Sequence, residues 1–288
     1  MTLSERAQAL SDIERMIFGR ERKKEEVFGV YRRLIAAQAT DSKVRGIAQD
    51  GGVVTALLLH GLGTKRFSRA VVSCTDPKKS LYPVPKLASN PAEILACAGT
   101  RYSYSPNLVA LRSIKEHGTE NVAFVGTPCQ INALRKIQLT ETKKYSSVNL
   151  FIGLMCSECF DYETLFEQHL HKELGLKLED IIKINIKGKM IITMKDRQTH
   201  TLPLKEVKQY SRKSCRNCSD FSSELADISI GGLGLQDWSY VIVRSESGEQ
   251  FFSSAEKAGI IQTRNAEEEV KALDLLRKLS IKKNKNFA

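Results

Sequence analysis

The segment "NVAFVGTPCQINALRK", residues 121–136, sets a run of small and β-branched residues directly against a stretch of helical period. A short continuous apolar run that turns at Thr-Pro into a helix reads as a buried strand feeding a helix, the unit of an α/β sheet. The pattern recurs: "RAVVSC" (69–74) is a second such run, and "VNLFIGLMC" (148–156) a third. The third leads into "DYETLFEQHLHKELG", a helix stopped by Gly175. Ahead of them, residues 1–26 read as a charged amphipathic helix with Leu3, Ala7, Leu10, Ile13 and Ile17 at helical spacing. Beyond residue 180 the style changes. "IIKINIKGKMIITMKD" breaks at Lys187-Gly188-Lys189 into a hairpin, and "ADISIGG" reads as a strand. "SYVIVRSESGEQFF" adds strands with a second hairpin turn at Ser247-Gly248, before two closing helices. The expected class is α/β, turning to α+β in the C-terminal part, with mixed sheets flanked by helices. Four parts follow: a helical extension over 1–26, an α/β part over 27–175, an α+β part over 176–265, and a helix with a basic tail over 266–288.

At 288 residues, 42% apolar and 27% charged, the chain has the composition of an ordinary globular protein. Its longest apolar stretches, such as Val53–Leu59, fall far short of the roughly 20 residues that span a bilayer. The first residues lack a hydrophobic leader core, so a cytoplasmic protein is expected. A net charge of +11 asks for a polyanionic partner, though part of it is the basic run "RKLSIKKNKN" (277–286). RNP-type aromatic patterns and Cys–His finger spacings are absent, so nucleic acid is not the expected partner.

Seven cysteines in such a chain argue against a disulfide framework. Cys74 lies in a strand pattern and Cys97 in "ILACAGT", and both read as small buried hydrophobes. The other five sit where chemistry happens. Cys129 falls in the first turn of a helix after a strand, where backbone N–H groups and the helix dipole favour thiolate. Cys156 ends a strand with Cys159 close behind, and Cys215 and Cys218 form a second C-x-x-C. Such turns present two sulfurs on one side, which suits a cubane cluster, tetrahedral zinc or a redox dithiol. The spacing leaves all three open. Among the histidines, His169 and His171 point to different helix faces, while His60, His117 and His200 stand alone.

Glycine-rich turns supply candidate anion contacts. Gly51-Gly52 stand before a helical run, where bare backbone can approach a phosphate. "AGTRYSYSPN" packs Thr100, Arg101, Ser105 and Asn107 among tyrosines, suiting a phosphate and a stacked ring. Gly231 and Gly232 in "GGLG" follow a strand, where backbone could line a flat cofactor. No P-loop and no G-x-G-x-x-G after a strand is present.

In this order, "AQDGGVVTALL", "GTRYSYSPN", "GTPCQINALRK", "LPLKE" and "CRNCSDFSSELADISIGGLG" resemble the coenzyme F420 hydrogenase/dehydrogenase beta-subunit family. The resemblance runs from Ala36 to Arg264. It implies one FAD on a non-Rossmann fold, one [4Fe-4S] cluster, and hydride exchange with coenzyme F420 as substrate. By motif position the cluster ligands are Cys129, Cys156, Cys215 and Cys218. Cys159 departs from the family pattern, as does the missing glycine beside Trp238. The FAD pyrophosphate falls to Gly51, Gly52, Thr100 and Arg101, with Ser105 and Asn107 nearby. The phosphate and glutamate tail of F420 fall to Lys187, Lys189 and Lys205. No ferredoxin-type C-x-x-C-x-x-C run is present, so electrons pass to a separate partner or to hydrogenase or dehydrogenase subunits in a hetero- or homo-oligomer. Two competing expectations remain: the same scaffold with another hydride donor or organic acceptor, and a non-catalytic zinc protein that binds nucleic acid.

Overall fold

In the computed structural model, which describes residues 3–114, 120–141 and 144–285, an eight-stranded mixed sheet forms the frame. Its first strands are β1 (Arg33–Ala39), β2 (Arg69–Thr75), β3 (Pro83–Ala88), β4 (Val122–Gly126) and β5 (Val148–Leu154). β9 (Ile228–Gly231), β10 (Ser239–Val243) and β11 (Ile261–Asn265) complete it in the order β11-β1-β10-β9-β5-β4-β2-β3. β2, β4, β5 and β9 run parallel at the centre, while β3 on one side and β10, β1 and β11 on the other are antiparallel. The central strands are the continuous apolar runs of the sequence, and β4 is buried along its whole length, as a sheet covered on both faces requires. The frame therefore continues across residue 175.

Helices cover both faces. On one, α3 (Val53–Gly63) and α7 (Glu246–Lys257) bring Leu57, Phe251 and Phe252 onto the sheet with Phe67. On the other, α1 (Leu3–Phe18) and α5 (Pro128–Thr140) bury Ile13, Ile131 and Leu134 against Phe124 and Phe151. α8 (Val270–Asn284) packs Leu276 beside Tyr240 and Ile242. Two short helices, α2 (Ser42–Ile47) and α4 (Pro91–Ala96), stand at the ends of strand connections.

Between β5 and β9 the chain makes a long excursion. It forms a wide helix, Tyr162–Glu173, whose last turn closes with an i→i+5 bond from Leu174 N–H to the His169 carbonyl, and which ends before Gly175 in the left-handed region. A second antiparallel sheet follows: β6 (Ile181–Ile186), β7 (Lys189–Met194) and β8 (Thr199–Pro203). The first hairpin turns at Gly188, φ +71°, where the sequence places it. This sheet carries its own core of Phe160, Phe166, Leu170, Met190, Ile192 and Val207, closed by the short helix α6 (Leu204–Val207).

Ser247-Gly248, expected as a hairpin turn, lies instead in the first turn of α7. Ser245 caps that helix by accepting the Gly248 N–H at 3.0 Å, and Glu246 and Glu249 complement the positive end of its dipole. Gly248 is needed for close packing, because a Cβ there would overlap the carbonyl oxygen of Asp227. Alanine in a helix interior normally gains about 0.5–1 kcal/mol over glycine. Here the obstacle is backbone held in the sheet, and overpacking costs about 1–3 kcal/mol. Gly248→Ala is therefore expected to lower Tm in a thermal melt. A raised Tm would mean that α7 shifts freely off Asp227.

Candidate functional site

The two C-x-x-C turns meet at the neck of the excursion. The Cys159 N–H donates to the Cys215 sulfur at 3.4 Å, and the Cys159 carbonyl accepts from the Arg212 N–H at 2.9 Å and from the Cys215 thiol at 3.9 Å. The Cys156 N–H donates to the Phe221 carbonyl at 2.9 Å, tying the end of β5 to the segment after Cys218. Cys129 is exposed as the second residue of α5, its sulfur 3.3 Å from Thr127 Oγ1. The Cys159 thiol is held well above the ordinary range, first by its hydrogen bond with Cys156. Burial and the charges of Cys156 and Cys129 act the same way, and a hydrogen bond with Cys215 acts against them. Cys215 is raised first by its bond with Cys159, then by burial, with the Lys283 ammonium opposing. Cys218 is raised first by burial; its bond to Asp220 and the Lys283 charge oppose, and the charge of Cys129 adds. Five sulfurs thus form one interacting nest. Among the described residues no group of three or more His, Cys, Asp or Glu side chains is arranged to hold a single metal ion.

Behind the nest, the segment 220–230 carries a buried polar network. The Arg244 guanidinium, fully buried, donates to Ser229 Oγ (2.7 Å), to the Phe28 and Val30 carbonyls (both 2.9 Å), and to Ser222 O and Oγ (3.1 and 3.0 Å). Burial brings it down to about 10, against the pull of Glu224 and Asp220. Asp227 accepts the Phe151 N–H at 2.8 Å and Arg135 Nη2 at 3.2 Å.

A cleft of about 570 Å³ opens between the two sheets. Its walls are the loop 46–49, the loop 98–102 and the stretch 178–184 leading into β6, with Thr75, Leu81 and Phe166. Two cross-links span it: Lys183 Nζ reaches the Ala48 carbonyl at 3.5 Å, and the Gln49 amide bonds Asn185 Oδ1. Thr100 and Arg101 line it. Arg101 Nη1 donates to the Ala98 and Gly99 carbonyls at 3.1 and 3.0 Å, while its buried Nε has no partner. Burial alone draws this guanidinium below its ordinary value.

Between cleft and nest lies Asp50, in the left-handed region at φ +48°. Burial raises its carboxyl, with Lys187 and Lys183 opposing. Gly232 leaves room for that carboxylate, since a Cβ there would overlap it, and a Cβ at Gly231 would stand 2.7 Å from Met155 Sδ. Met155 precedes Cys156, so a continuous line of contacts runs from Cys156 through Met155, Gly231, Gly232 and Asp50 to the cleft.

The remaining candidates are spread out. Gly51 donates its N–H to Ser239 Oγ at 3.2 Å and gives its carbonyl to Ala39, and Gly52 caps α3 at φ +71°. Ser105 and Asn107 bond each other at 2.6 Å, and Asn107 Nδ2 donates to the Val125 carbonyl, pinning the loop to β4. Lys189 and Lys205 are exposed on β7 and α6. Cys74 and Cys97 are not separate hydrophobes: their sulfurs are joined as a disulfide, Cα–Cα 4.4 Å, directly behind cleft residues Thr75 and Ala98. Three of the histidines make hydrogen bonds away from the cysteine nest. His169 sits between Glu173 (2.7 Å) and Glu206 (2.9 Å), His171 meets the Leu176 carbonyl and His60 meets Ser254. His117 and the end of the basic run beyond residue 285 lie outside the described residues. Lys183, Asp50 and Gln49 went unnoticed in the sequence. The "AQDGG" turn held the only signal, an aspartate in front of two glycines.

Comparison with known proteins identifies the family of this chain. Residues 119–269 match the family model for the C terminus of the coenzyme F420 hydrogenase/dehydrogenase beta subunit, and residues 34–112 match its N-terminal counterpart. The coenzyme F420 hydrogenase subunit beta of Methanococcus voltae is 37% identical over 264 residues, covering 90% of this chain and 94% of that protein. Its namesake from Methanothermobacter thermautotrophicus is 38% identical, covering 89% and 92%. A chain of the F420-reducing [NiFe] hydrogenase complex from Methanosarcina barkeri superposes with TM-score 0.86 at 32% identity, covering 92% of this chain and 93% of its own. Among the described residues no helix is long and apolar enough to cross a membrane. Relatives bearing these names are subunits of oxidoreductases, and this chain belongs to the coenzyme F420 hydrogenase/dehydrogenase beta-subunit family.

Proposed function

We propose that the chain is an F420-linked oxidoreductase subunit. It exchanges hydride between coenzyme F420 and FAD, and passes single electrons through a [4Fe-4S] cluster to or from a partner protein. The observation that carries this reading is the nest of five thiols one short line of contacts from a ligand-sized cleft. Ligand pockets of about 300–1,000 Å³ are the usual range.

The donor set fits a cluster. A cubane spreads its four thiolates over four irons, so they surround a volume instead of converging on one atom. Cys129, Cys156, Cys215 and Cys218 would hold it. Cys159 contributes its backbone N–H to the Cys215 sulfur, the kind of bond that tunes a cluster's potential. The Cys215 and Cys218 thiols, which their surroundings keep protonated, would release their protons to solvent as the centre is loaded.

The cleft fits an anionic, planar ligand. The guanidinium of Arg101, with a buried N–H lacking a partner, and the hydroxyl of Thr100 would take the FAD pyrophosphate. This is phosphate binding without a Rossmann fingerprint. Gly51 and Gly52, Ser105 and Asn107, and Gly231 and Gly232 shape the surrounding turns, in their observed bonds and contacts, and so hold that loop and Asp50 in place. Lys183 and Lys187, facing Asp50, would meet the phosphate or glutamate of F420, with Lys189 and Lys205 further along the small sheet. FAD, when bound, supplies the interchange of hydride and single-electron chemistry. The protein aligns the rings, excludes water and holds the charges.

Anaerobic reconstitution should give a flavin spectrum and about four irons per chain. Cys156→Ala is expected to abolish the cluster's absorbance, whereas Cys159→Ala, which keeps the backbone N–H, should retain it. The opposite pattern would make Cys159 the ligand, and stoichiometric zinc without iron or flavin would remove the proposal. Arg101→Ala should weaken FAD binding about 10- to 100-fold, the effect of losing one charge-assisted hydrogen bond of about 1.5–3 kcal/mol, with iron content unchanged. Fluorescence titration of FAD measures this, and an unchanged affinity would move the pyrophosphate elsewhere.

A further inference from the structure

Five of the seven cysteines are free, and Cys74 and Cys97 alone are joined. A solitary bridge in a chain that keeps its other thiols is more often a redox site than a scaffold. Its position supports that reading. Cys74 is already placed by β2, where it stands opposite Val84 of β3 in the antiparallel ladder. Cys97 is already placed by α4, whose C-terminus it caps, its N–H donating to the Glu93 and Ile94 carbonyls at 3.2 and 3.1 Å. What the bridge adds is a covalent tie between the end of β2 and the start of the 98–101 loop. Each cysteine is followed at once by a cleft residue, Thr75 on the strand and Ala98 on the loop. Beyond Ala98 the loop turns at Gly99, φ +89°, and Arg101 bonds back onto the Ala98 and Gly99 carbonyls. Further on, the Tyr102 carbonyl accepts the Phe160 N–H at 2.9 Å. The guanidinium that lines the cleft therefore takes its position from carbonyls that directly follow the bridge.

We propose that the Cys74–Cys97 bridge is a reversible redox site whose state sets how firmly the 98–101 loop holds an anion in the cleft. Its reductant is a small dithiol, because the two residues are only 9% and 8% exposed. One thiolate of the dithiol attacks a sulfur of the bridge, and the other sulfur leaves as thiolate. The second thiol of the reductant then closes its own ring and frees the first cysteine. Two electrons and two protons pass to Cys74 and Cys97, and the dithiol becomes a cyclic disulfide. With the bridge closed, Arg101 is held ready and loses little freedom when a phosphate arrives. With it open, the loop gives up that freedom on binding, and the anion is held less firmly. The inference rests on reading the cleft as the FAD pyrophosphate site, and deepens it by placing that site under redox control.

The full chain, reconstituted with iron and sulfide, is equilibrated anaerobically in mixtures of reduced and oxidised dithiothreitol. Unfolding in N-ethylmaleimide and a chelator labels every free thiol, so the bridged chain should carry five adducts by mass and the reduced chain seven. Peptide mapping should assign the two additional adducts to Cys74 and Cys97. The Kd for FAD, read by fluorescence, should be about two- to tenfold weaker in the reduced chain, the range for immobilising one long side chain on binding. By linkage, saturating FAD should shift the bridge toward its oxidised state by that same factor, an effect read from the adduct count without turnover. Backbone amides of residues 98–101 should exchange hydrogen faster once the bridge is reduced. Cys74→Ser and Cys97→Ser should each behave as the reduced wild type and ignore dithiothreitol. The wild-type comparison needs no substitution and stands if a serine variant fails to fold. A bridge that never forms in the folded chain, or one that yields to the dithiol only on unfolding, overturns the proposal. So does equal FAD affinity together with equal loop exchange in the two states. If neither state binds FAD, the reading of the cleft falls, while the adduct count and the loop exchange still decide the redox site.

Discussion

A buried guanidinium organises this protein. Arg244 on its own would carry a desolvation cost of several kcal/mol, and it is tolerated because its donors are taken up by Ser229, Phe28, Val30 and Ser222. Those acceptors belong to the segment 220–230 and to the chain entering β1. Arg244 thereby fixes the run between the second cysteine pair and β9. Asp227 repeats the arrangement with the opposite sign, taking the Phe151 N–H and the Arg135 guanidinium. Since Phe221 accepts the Cys156 N–H, the two cysteine pairs inherit their relative position from this polar core. An apolar core would pack as well, but its side chains can repack, whereas the five directed bonds of the Arg244 guanidinium favour one geometry.

The cleft has a different origin. It is a seam between a sheet buried on both faces and a smaller sheet with its own core. Lys183 and Gln49 bridge the seam with polar contacts where an apolar interface would have closed it. Arg101 projects from a loop pinned at one end by Ser105 and Asn107 and at the other by the Cys74–Cys97 disulfide. A charged group on a braced loop is pre-organised for an anion and loses little freedom on binding.

Period and punctuation made much of the frame legible. The continuous apolar runs 69–74, 121–126 and 148–156 became central strands, the Lys187-Gly188 turn became a hairpin, and Cys129 stands in the first turn of a helix. Tertiary context overrode local signals elsewhere. Ser247-Gly248 has turn chemistry, yet Ser245 and the acidic residues after it start a helix, and the glycine answers to Asp227 across the sheet. Gly51 looked like an open anion contact, but its N–H is given to Ser239, a partner 188 residues away. Cys74 and Cys97 fit apolar patterns, and nothing local announces their pairing. Asp50 and Lys183 gain their meaning only when the small sheet folds over the loop 46–49.

Four of the five cysteines outside the disulfide lie on the single connection between the adjacent parallel strands β5 and β9, one pair at its start and one at its end. That connection holds the whole small sheet. The nest is therefore a clasp at the neck of a long loop, and whatever bridges its two pairs removes the loop's conformational entropy from the unclasped ensemble. Closing the nest would then add to the Lys183–Ala48 and Gln49–Asn185 bridges that set the small sheet, one wall of the cleft, against the large one.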